Sequence, residues 1–393
     1  MVLLIILIAS EFLTFYLFRQ HYKGYSKTRY YLSNVTGAIL SLYMWILYIE
    51  VHSYSGPLDN PAYVWLKTNL YGTYCAVLIP RIILIVLHYT GKLIDYYRGT
   101  SIRYLTNAGL IIWIVILFTV LTGTVRGRFN TSIEEVSVPV EGLKEDLEGF
   151  TIVQISDLHL SAFHRHKHYL QEVVDEINSY KPDIIVNTGD FVNYSYPEYE
   201  NNDTILVRAV AKYGQFAILG NHDFGTYNSE LNDAGRDSNV KMMIRLITSS
   251  GYRVLVDENQ VIRVGKSKVG IAGVTTKGRH SDIIHGDLGK AISGLDSVDV
   301  KILLSHDPNH WELAVKGKTD IDLMLAGHTH GMQMGIVTPS FKWSPAKYFY
   351  PDWNGLYSEG DQYLYVNRGL GVLGIPFRIG MPPEITVLHL TGK

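Results

Sequence analysis

The hydrophobic pattern divides the chain into two parts. Before Arg126, four long apolar segments cover roughly residues 2–18, 36–51, 64–88 and 104–124. Each is close to the length of about 20 residues that crosses about 30 Å of hydrocarbon as a helix. From about Glu148 the apolar runs are short and alternate with amphipathic stretches. The pattern predicts an all-α transmembrane domain of about four helices over residues 1–128, a linker over 129–147 and an α/β domain over 148–393.

The second part alternates predicted strands with predicted crossover helices. Helical spacing is found in YLQEVVDEINSY and in ILVRAVAKY, and each lies between two short apolar runs. Repeated strand, helix, strand order is typical of a sheet with parallel strands. The predicted strands are FTIVQIS, DIIVNT, QFAIL, KILLS and DLMLA.

Polar residues that can bind a metal ion follow each of these five predicted strands. The carboxyl ends of the strands form the ligand crevice of an open α/β sheet, so we expect these side chains to converge. A single histidine at a strand end is more often structural than a ligand, and the evidence lies in the ordered set of five. The residues are Asp157 with His159, Asp190, Asn221 with His222 and Asp223, His306, and His328 with His330.

The charge distribution separates the two parts further and excludes one class of partner. Up to Arg128 the chain has 11 Lys/Arg and 4 Asp/Glu, and from Phe129 onward it has 24 and 33. Nucleic-acid binding needs clustered cations that displace counterions from phosphates. The acidic second part offers no such cluster, so we expect no nucleic-acid partner.

The basic residues in the short loops predict the orientation in the membrane. The loop after the first apolar segment carries four Lys/Arg and the third connection carries three, whereas HSYSGPLDNP in between carries none. Basic loops remain on the cytoplasmic side. We therefore expect a multi-pass protein of the cell membrane with its α/β domain on the outer, periplasmic or extracellular, face. Arg126 and Arg128, just after the fourth segment, argue for the opposite orientation.

The five strand-end motifs resemble those of a known family. DLH, GD, GNHD, the histidine of SHDP and GHTH, in that order, are similar to the calcineurin-like metallophosphoesterases, and most similar to their membrane-associated and exported bacterial branch. The resemblance covers roughly residues 148–393. It implies a four-layer α/β/β/α sandwich, to which this chain adds the apolar segments at its amino-terminal end.

The resemblance also implies a dinuclear metal site. One divalent ion would be held by Asp157, His159 and His330, the other by Asn221, His306 and His328, with Asp190 bridging both. Carboxylate, amide and imidazole ligands suit Mn²⁺, Fe²⁺/Fe³⁺ or Zn²⁺. In the family, hydroxide generated at the two metals attacks phosphorus. The resemblance further implies that His222 protonates the leaving oxygen or stabilises the transition state, and that Asp223 orients its ring.

The expected substrate is a phosphomonoester, phosphodiester or pyrophosphate on a lipid-linked or cell-envelope molecule, because a membrane anchor keeps the site near such molecules. One alternative is a UDP-2,3-diacylglucosamine-type pyrophosphatase, which requires the domain to face the cytoplasm. A non-catalytic interaction scaffold is a second alternative, although such a module would be expected to lose ligand residues. A third is a transporter or sensor whose membrane spans carry the function.

Several further residues leave two interpretations open. Glu11 and Arg81 within the apolar segments mark either a polar path or headgroup site, or residues near an interface. The HRHKH stretch is either a third metal site or a solvated loop, and Arg378 is either a phosphate ligand or part of a structural ion pair. The aromatic, proline-rich stretch from Met332 to Tyr357 either packs normally or forms an apolar wall for a lipid tail.

Overall fold

The computed structural model describes residues 1–22, 26–98, 103–279, 282–338 and 340–393. Lys23, one of the loop cations counted above, lies outside these ranges. The described residues form two compact units. The membrane unit comprises residues 1–55, 66–126 and 374–377, and the catalytic unit comprises residues 56–65, 127–373 and 378–393.

The four predicted spans are confirmed as helices long and apolar enough to cross a membrane. Between the third and fourth helices, Tyr74–Leu78 forms a π-helical turn, so that Pro61–Arg98 is one 38-residue span. Pro80 explains the turn, because proline has no N–H to donate and its ring clashes with the carbonyl four residues earlier. The helices are α1 (Val2–Tyr22), α2 (Lys27–Ser53), α3 (Pro61–Thr73), α4 (Ile79–Arg98) and α5 (Tyr104–Val125).

Arg81 and Glu11, two charged residues within the spans, form an ion pair. Arg81 donates from Nη1 to Glu11 Oε1 at 2.6 Å and from Nη2 to Ser41 Oγ at 2.7 Å. Ser41 Oγ in turn lies 2.8 Å from Glu11 Oε2, and the Arg81 side chain is only 1% exposed. Opposite charges and shared hydrogen bonds offset the cost of placing both groups at membrane depth. This geometry favours a structural link between α1, α2 and α4.

The catalytic unit is built around two six-stranded sheets. The first has the order β1-β16-β2-β3-β4-β5 and the second β14-β15-β11-β10-β7-β6. Parallel pairs form the centre of each sheet, as predicted, while β16 pairs with β2, β14 with β15 and β6 with β7 in antiparallel fashion. The strands are β1 (Ser132–Val140), β2 (Thr151–Ile155), β3 (Ile184–Asn187), β4 (Gln215–Ala217), β5 (Arg253–Val254), β6 (Glu258–Val264), β7 (Ser267–Val274), β8 (Thr276–Lys277), β9 (Ile284–His285), β10 (Val300–Ser305), β11 (Leu323–Ala326), β12 (Ile336–Thr338), β13 (Phe341–Trp343), β14 (Gly355–Glu359), β15 (Gln362–Val366) and β16 (Glu384–Gly392).

Helices cover the outer face of each sheet, which confirms the predicted α/β/β/α sandwich. Successive strand residues point to opposite faces, so Ile184 packs into the core between the sheets while Ile185 packs under the helices of the first sheet. In the second sheet Leu303 packs against Trp311 on the outer side. The helices of this unit are α6 (Lys167–Ser179), α7 (Asp203–Leu206), α8 (Asp233–Ser249) and α9 (Leu288–Ile292).

The structure differs from the predicted linker. Ser132–Val140 forms β1, which pairs in parallel with β16 from Ser132 opposite Glu384 to Val140 opposite Gly392. The sequence SIEEVSVPV lacks an apolar run because β1 lies at the edge of the sheet, where only Val138 and Val140 are buried. The catalytic unit therefore begins earlier in the chain than the apolar pattern predicts.

The predicted helix over ILVRAVAKY is wrong beyond its first residues. α7 is a single turn that ends at Leu206. The Asn178 side chain holds the following segment in another conformation, since its Nδ2 donates to the carbonyl of Arg208 and its Oδ1 accepts from the N–H of Val210. A side chain that bonds the backbone in this way competes with helix formation.

Candidate active site

The polar residues predicted at five strand ends meet in one crevice. β2, β3 and β4 of the first sheet and β10 and β11 of the second run into the loops that carry them. The residues that follow are almost completely buried, with exposed fractions between 0% and 6% for Asp157, His159, Asp190, Asn221, His222, Asp223, His306 and His330.

The first group that can hold a metal ion consists of Asp157, His159 and His330, whose ligand atoms lie within 4.8 Å of one another. His159 Nε2 and His330 Nε2 are 3.1 Å apart, and His330 Nε2 is 3.3 Å from Asp157 Oδ1. His159 donates from Nδ1 to the carbonyl of Val192, which directs Nε2 into the crevice. A carbonyl acceptor on the other ring nitrogen is the usual way to orient a metal-binding imidazole.

The second group consists of Asp190, His306 and His328. His306 Nε2 lies 3.1 Å from both Asp190 Oδ2 and His328 Nδ1. His306 donates from Nδ1 to the carbonyl of Thr188 at 2.8 Å, so its Nε2 also points into the crevice. The GHTH motif thus contributes His328 to one group and His330 to the other, as the family resemblance implies.

Asp190 lies between the two groups and could bridge them. Its Oδ2 is 3.1 Å from His306 Nε2 and 3.9 Å from His159 Nε2. Its Oδ1 accepts from the backbone N–H of His222 at 2.9 Å. Asp157 is held in a similar way, because both of its oxygens accept from the N–H of His328. The carboxylates therefore tie together loops that come from different strands.

The backbone of the crevice is strained at five of the predicted ligands. Their φ angles are positive, between 41° and 70°, a region that residues other than glycine rarely adopt. Glycines allow the loops to approach closely: a Cβ at Gly327 would lie 2.0 Å from Ser156 Oγ, and a Cβ at Gly220 would lie 2.2 Å from Asp190 Oδ1. Strain of this kind concentrates at functional sites. The five residues are Asp157, His159, Asp190, His328 and His330.

Asn221 provides a test of whether the site fits metal ions. Its Nδ2 donates to the hydroxyl of Tyr227 at 3.0 Å. Its Oδ1 is buried and accepts no hydrogen bond from any residue that the structure describes. A buried acceptor without a donor is costly, and a cation would satisfy it. Two carboxylates, an amide oxygen and facing imidazole nitrogens form a ligand set that suits Mn²⁺, iron or Zn²⁺.

The electrostatics of the crevice also suit cations. Burial alone would raise the pKa of Asp157 and Asp190, but the facing imidazoles of His330 and His306 outweigh it and hold both carboxyls below their usual range. Burial likewise opposes charge on His306, yet Asp190 raises its pKa to about 10. Burial, aided by His306, lowers the pKa of His328 to about 4. The ionised carboxylates and the neutral His328 imidazole are in the protonation state of metal ligands, whereas His306 would release its proton when a metal ion binds.

The expected role of Asp223 is not supported. The ring of His222 is held by a hydrogen bond from its Nδ1 to the carbonyl of Asn193 at 2.7 Å. The Asp223 carboxyl instead accepts from the backbone N–H groups of Asp190, Phe191 and Gly220 at 2.8–2.9 Å. Burial and the nearby Asp190 charge raise its pKa to about 8. Asp223 thus supports the loop that follows β3.

Three contacts of the crevice were missed by the sequence analysis. The Tyr227 ring stacks on His222 at a centroid distance of 4.1 Å, and the Tyr350 hydroxyl lies 2.9 Å from His328 Nε2. The carbonyl of Asn193 holds His222. Tyr350 belongs to the aromatic stretch noted above, whereas a backbone carbonyl leaves no signal in the side-chain pattern.

The position of Arg378 decides between its two interpretations. Arg378 is 2% exposed and donates to the carbonyls of Arg368, Gly369 and Gly371. It therefore clamps a loop behind His330, whose Nδ1 is 3.2 Å from its Nη2, and is not placed to contact a phosphate.

The histidines of HRHKH have separate partners. His164 Nδ1 lies 2.8 Å from Glu200 Oε1, His166 packs 4.9 Å from the Phe129 ring, and His168 packs 4.0 Å from the Tyr169 ring. Among the described residues, the groups that could hold a metal ion are the two in the crevice. This geometry argues against a third metal site, and the stretch is a loop only up to His166, because Lys167 and His168 belong to α6.

Comparison with known proteins gives the family. A family model described as calcineurin-like phosphoesterase matches residues 150–332. The metallophosphoesterase YkuE of Bacillus subtilis is 34% identical over 256 residues, which cover 62% of this chain and 79% of that protein. A metallophosphoesterase of Campylobacter jejuni is 27% identical over 328 residues, covering 82% of this chain and 79% of that protein.

A third relative is similar to this chain beyond the catalytic unit. A Danio rerio protein named transmembrane protein with metallophosphoesterase domain is 27% identical over 336 residues, covering 83% of this chain and 73% of that protein. An alignment of this length extends beyond the catalytic unit into the apolar helices. The chain belongs to the calcineurin-like metallophosphoesterase family, as a membrane protein with a metal-dependent phosphoesterase domain.

Proposed function

We propose that this protein hydrolyses a phosphomonoester, phosphodiester or pyrophosphate bond of a lipid-linked or cell-envelope substrate, on the outer face of the cell membrane and with two divalent metal ions. The observation that carries the proposal is the pair of buried ligand groups that share one crevice with Asp190 between them. The buried Asn221 Oδ1, which accepts no hydrogen bond from the described residues, would be a seventh ligand.

The residues divide into those that hold the metals and those that act on the substrate. Asp157, His159 and His330 would hold one ion, and Asn221, His306 and His328 the other, with Asp190 shared. When bound, two such ions activate water near neutral pH and withdraw charge from the phosphoryl oxygens. The protein supplies the ligands in fixed positions and a crevice from which bulk water is largely excluded.

His222 is proposed to handle the proton of the leaving oxygen. Because the Asn193 carbonyl can only accept, His222 carries a proton on Nδ1, and Nε2 is the nitrogen free to exchange a proton in the crevice. Stacking on Tyr227 at 7° between ring planes fixes the orientation of the ring. Burial lowers the pKa of His222, so its ring is neutral near pH 7. Nε2 would take up the proton that the attacking water releases and pass it to the oxygen that leaves phosphorus.

The loop that holds His222 is supported from a distant part of the chain. Glu198 accepts from the backbone and side-chain N–H groups of Asn193 at 3.0 and 2.8 Å. Asp59, between the second and third spans in sequence, lies 2.5 Å from Ser195 Oγ and 3.3 Å from Asn228 Nδ2. Asp59 belongs to the segment 56–65 of the catalytic unit. We therefore assign it a positioning role.

An apolar rim beside the crevice supports a substrate with a lipid part. We define the apolar rim as Ile336, Phe341, Tyr348 and Phe349, which are between 53% and 70% exposed. The rim directly precedes Tyr350, whose hydroxyl is 2.9 Å from His328 Nε2. Exposed apolar residues next to each other in the chain, as Tyr348 and Phe349 are, can form an interaction surface for apolar groups. The rim is consistent with the apolar-wall interpretation of the aromatic stretch.

The loop charges support the outer face. The first and third connections between spans carry the Lys/Arg residues, while the connection between the second and third spans carries none. With four spans, this connection without Lys/Arg and the catalytic unit would lie on the same side, and residues 56–65 of that connection belong to the catalytic unit. The positive-inside rule places this side away from the cytoplasm.

The first prediction separates metal binding from proton transfer. We expect Asp190→Ala to lose both metal and activity, since the shared ligand is removed. His222→Ala should keep its metal and lower turnover by about 10²- to 10⁴-fold, the contribution of a general acid. Metal content of the purified full chain and hydrolysis of chromogenic mono- and diesters measure both effects, and chelation should abolish activity until Mn²⁺ is restored.

Equal metal loss in the two variants would contradict the assigned roles, and a wild-type protein free of metal and inactive would refute the proposal.

The second prediction concerns Asp59. Asp59→Ala removes hydrogen bonds that a charged acceptor makes, so we expect the unfolding free energy to fall by about 1–3 kcal/mol and kcat to fall while metal content is retained. Asp233→Ala is the matched control, because the Asp233 side chain is fully exposed. If kcat is unchanged for Asp59→Ala, the contact is structural only and the positioning role is wrong.

The third prediction concerns the apolar rim. The double variant Tyr348→Ser/Phe349→Ser should raise KM on the order of tenfold or more for a phosphorylated lipid in vesicles, since each buried ring contributes about 2 kcal/mol. Hydrolysis of a water-soluble chromogenic ester should be unaffected. Leu313→Ser, at a residue 64% exposed elsewhere on the catalytic unit, serves as control. Parallel losses on both substrates would argue against recognition of a lipid tail.

The fourth prediction concerns the side of the membrane. Protease added outside intact spheroplasts that express the chain should cleave the catalytic unit, and lysis should not be required. Protection until lysis would place the unit in the cytoplasm and would favour the nucleotide-linked, UDP-2,3-diacylglucosamine-type alternative. A panel of phosphorylated lipids and nucleotides assayed with the Mn²⁺-loaded protein then identifies the substrate class.

A further inference from the structure

A short hairpin of the catalytic unit stands beside the crevice, and the proposed function does not use it. Strands β8 and β9 form the hairpin, with Thr276 opposite His285. The Nε2 atom of His285 lies 3.4 Å from Asp307 Oδ2. Asp307 directly follows His306, one of the proposed metal ligands. The second strand of the hairpin is therefore fixed next to the second ligand group.

The first strand of the hairpin is fixed to the loop that follows β4. The backbone N–H of Thr276 donates to the carbonyl of Leu219 at 3.3 Å. The hydroxyl of Thr226 lies 3.2 Å from the carbonyl of Gly278 and 3.2 Å from that of Asn221. The hairpin thus links a loop of the first sheet to a loop of the second, and both loops carry proposed metal ligands.

Arg279 follows β8 by two residues and packs on Tyr227. Its Nε donates to the carbonyl of Thr226, and its guanidinium carbon lies 5.4 Å from the centroid of the Tyr227 ring. The same ring stacks on His222 at a centroid distance of 4.1 Å. A single aromatic ring therefore connects the guanidinium of Arg279 to the residue that is proposed to pass a proton to the leaving oxygen.

The guanidinium of Arg279 retains donors for a ligand. The side chain is exposed, and its Nη nitrogens have neither a hydrogen bond nor an ion pair with the residues that the structure describes. Arg378 differs, because it is buried and donates to backbone carbonyls. Paired N–H donors of a guanidinium fit the oxygens of a phosphate group. Arg279 can therefore bind an anion while the bond from its Nε holds it beside the crevice.

We propose that Arg279 binds a second phosphoryl group of the substrate, which belongs to the leaving group. This inference rests on the proposed function and narrows its substrate class to a pyrophosphate. Because His222 passes a proton to the leaving oxygen, the leaving group lies on the side of His222, Tyr227 and Arg279. The attacking water adds its oxygen to one phosphorus, the bridging P–O bond breaks, and the departing phosphate takes up the proton that His222 passes on.

The charge of the leaving group distinguishes the substrate classes that the proposed function leaves open. The alcohol that leaves a simple phosphomonoester or phosphodiester is neutral and gives Arg279 no anion. The phosphate that leaves a pyrophosphate is charged and offers several oxygens to the guanidinium. A cation placed where this charge develops stabilises the transition state. An exposed guanidinium on the leaving-group side therefore favours a pyrophosphate.

The test compares decyl diphosphate with decyl phosphate as substrates of the Mn²⁺-loaded full chain. Both lipids have the same tail and release inorganic phosphate, but the leaving group is charged decyl phosphate in one and neutral decanol in the other. Wild type should have the higher kcat/KM for the diphosphate. Arg279→Gln should lower the ratio of kcat/KM for the diphosphate to that for the monophosphate by about tenfold or more, since hydrogen bonds to a charged group are lost.

Lys277→Gln is the matched control. Lys277 is exposed on the same hairpin, and its Nζ lies 5.9 Å from the centroid of the Phe224 ring. Each variant removes one cation from the hairpin, so a difference between the two reports the contact of Arg279 and not the overall charge. The ratio for Lys277→Gln should equal that of wild type. Unchanged metal content and size-exclusion profile confirm that each variant is folded.

The outcomes separate this proposal from the proposed function. An unchanged ratio in Arg279→Gln, or an equal loss in Lys277→Gln, would overturn the role of Arg279 and leave the hydrolysis itself intact. Activity on chromogenic esters without release of phosphate from decyl diphosphate would contradict the pyrophosphate class. A folded wild-type protein that is inactive on both lipids and on chromogenic esters would refute the proposed function, and the second phosphoryl site with it.

Discussion

Two ionised carboxylates, Asp157 and Asp190, are buried in one crevice, and the arrangement around them follows from the need to balance that charge. Removing a carboxylate from water costs several kcal/mol unless donors or cations meet it. Here the backbone N–H groups of His328 and His222 and the imidazoles of His306 and His330 meet the oxygens. These donors come from three different loops on two sheets. The charge is therefore balanced only when the whole sandwich is assembled, which makes the site a product of the fold and not of any one motif.

The close approach of these loops explains the form of the motifs. Five ligands lie in left-handed backbone conformations, each of which costs of order 1–3 kcal/mol and persists only where the surroundings determine it. Where two loops touch, glycines leave room because they have no side chain, as at Gly327 against Ser156 and at Gly220 against Asp190. The GD, GNHD and GHTH motifs thus combine a ligand with the space that the ligand of a neighbouring loop requires. The Asp223 carboxyl also joins two loops, because it accepts from the backbone N–H groups of Phe191 and Gly220.

The sequence predicted features that depend on local pattern and missed those that depend on partners far along the chain. Ligands at strand ends were predictable because an apolar run followed by Asp, Asn or His is visible in a few residues. The carbonyl of Asn193 and the contact of Asp59 with Ser195 carry no such pattern, since one is a backbone group and the other joins residues 136 positions apart. The edge strand β1 was missed because only one end of it is buried. A helix was wrongly predicted beyond α7 because the hydrophobic pattern does not reveal that the Asn178 side chain bonds the backbone there.

The polar groups of the membrane unit bear on whether the spans transport anything. Arg81 and Glu11 neutralise each other, and Ser41 contacts both. His88 likewise contacts Thr106 and Gln20 within the bundle. Groups paired with one another in this way hold helices together, and the Arg81–Glu11 pair carries no net charge. This arrangement favours an anchor over a transporter.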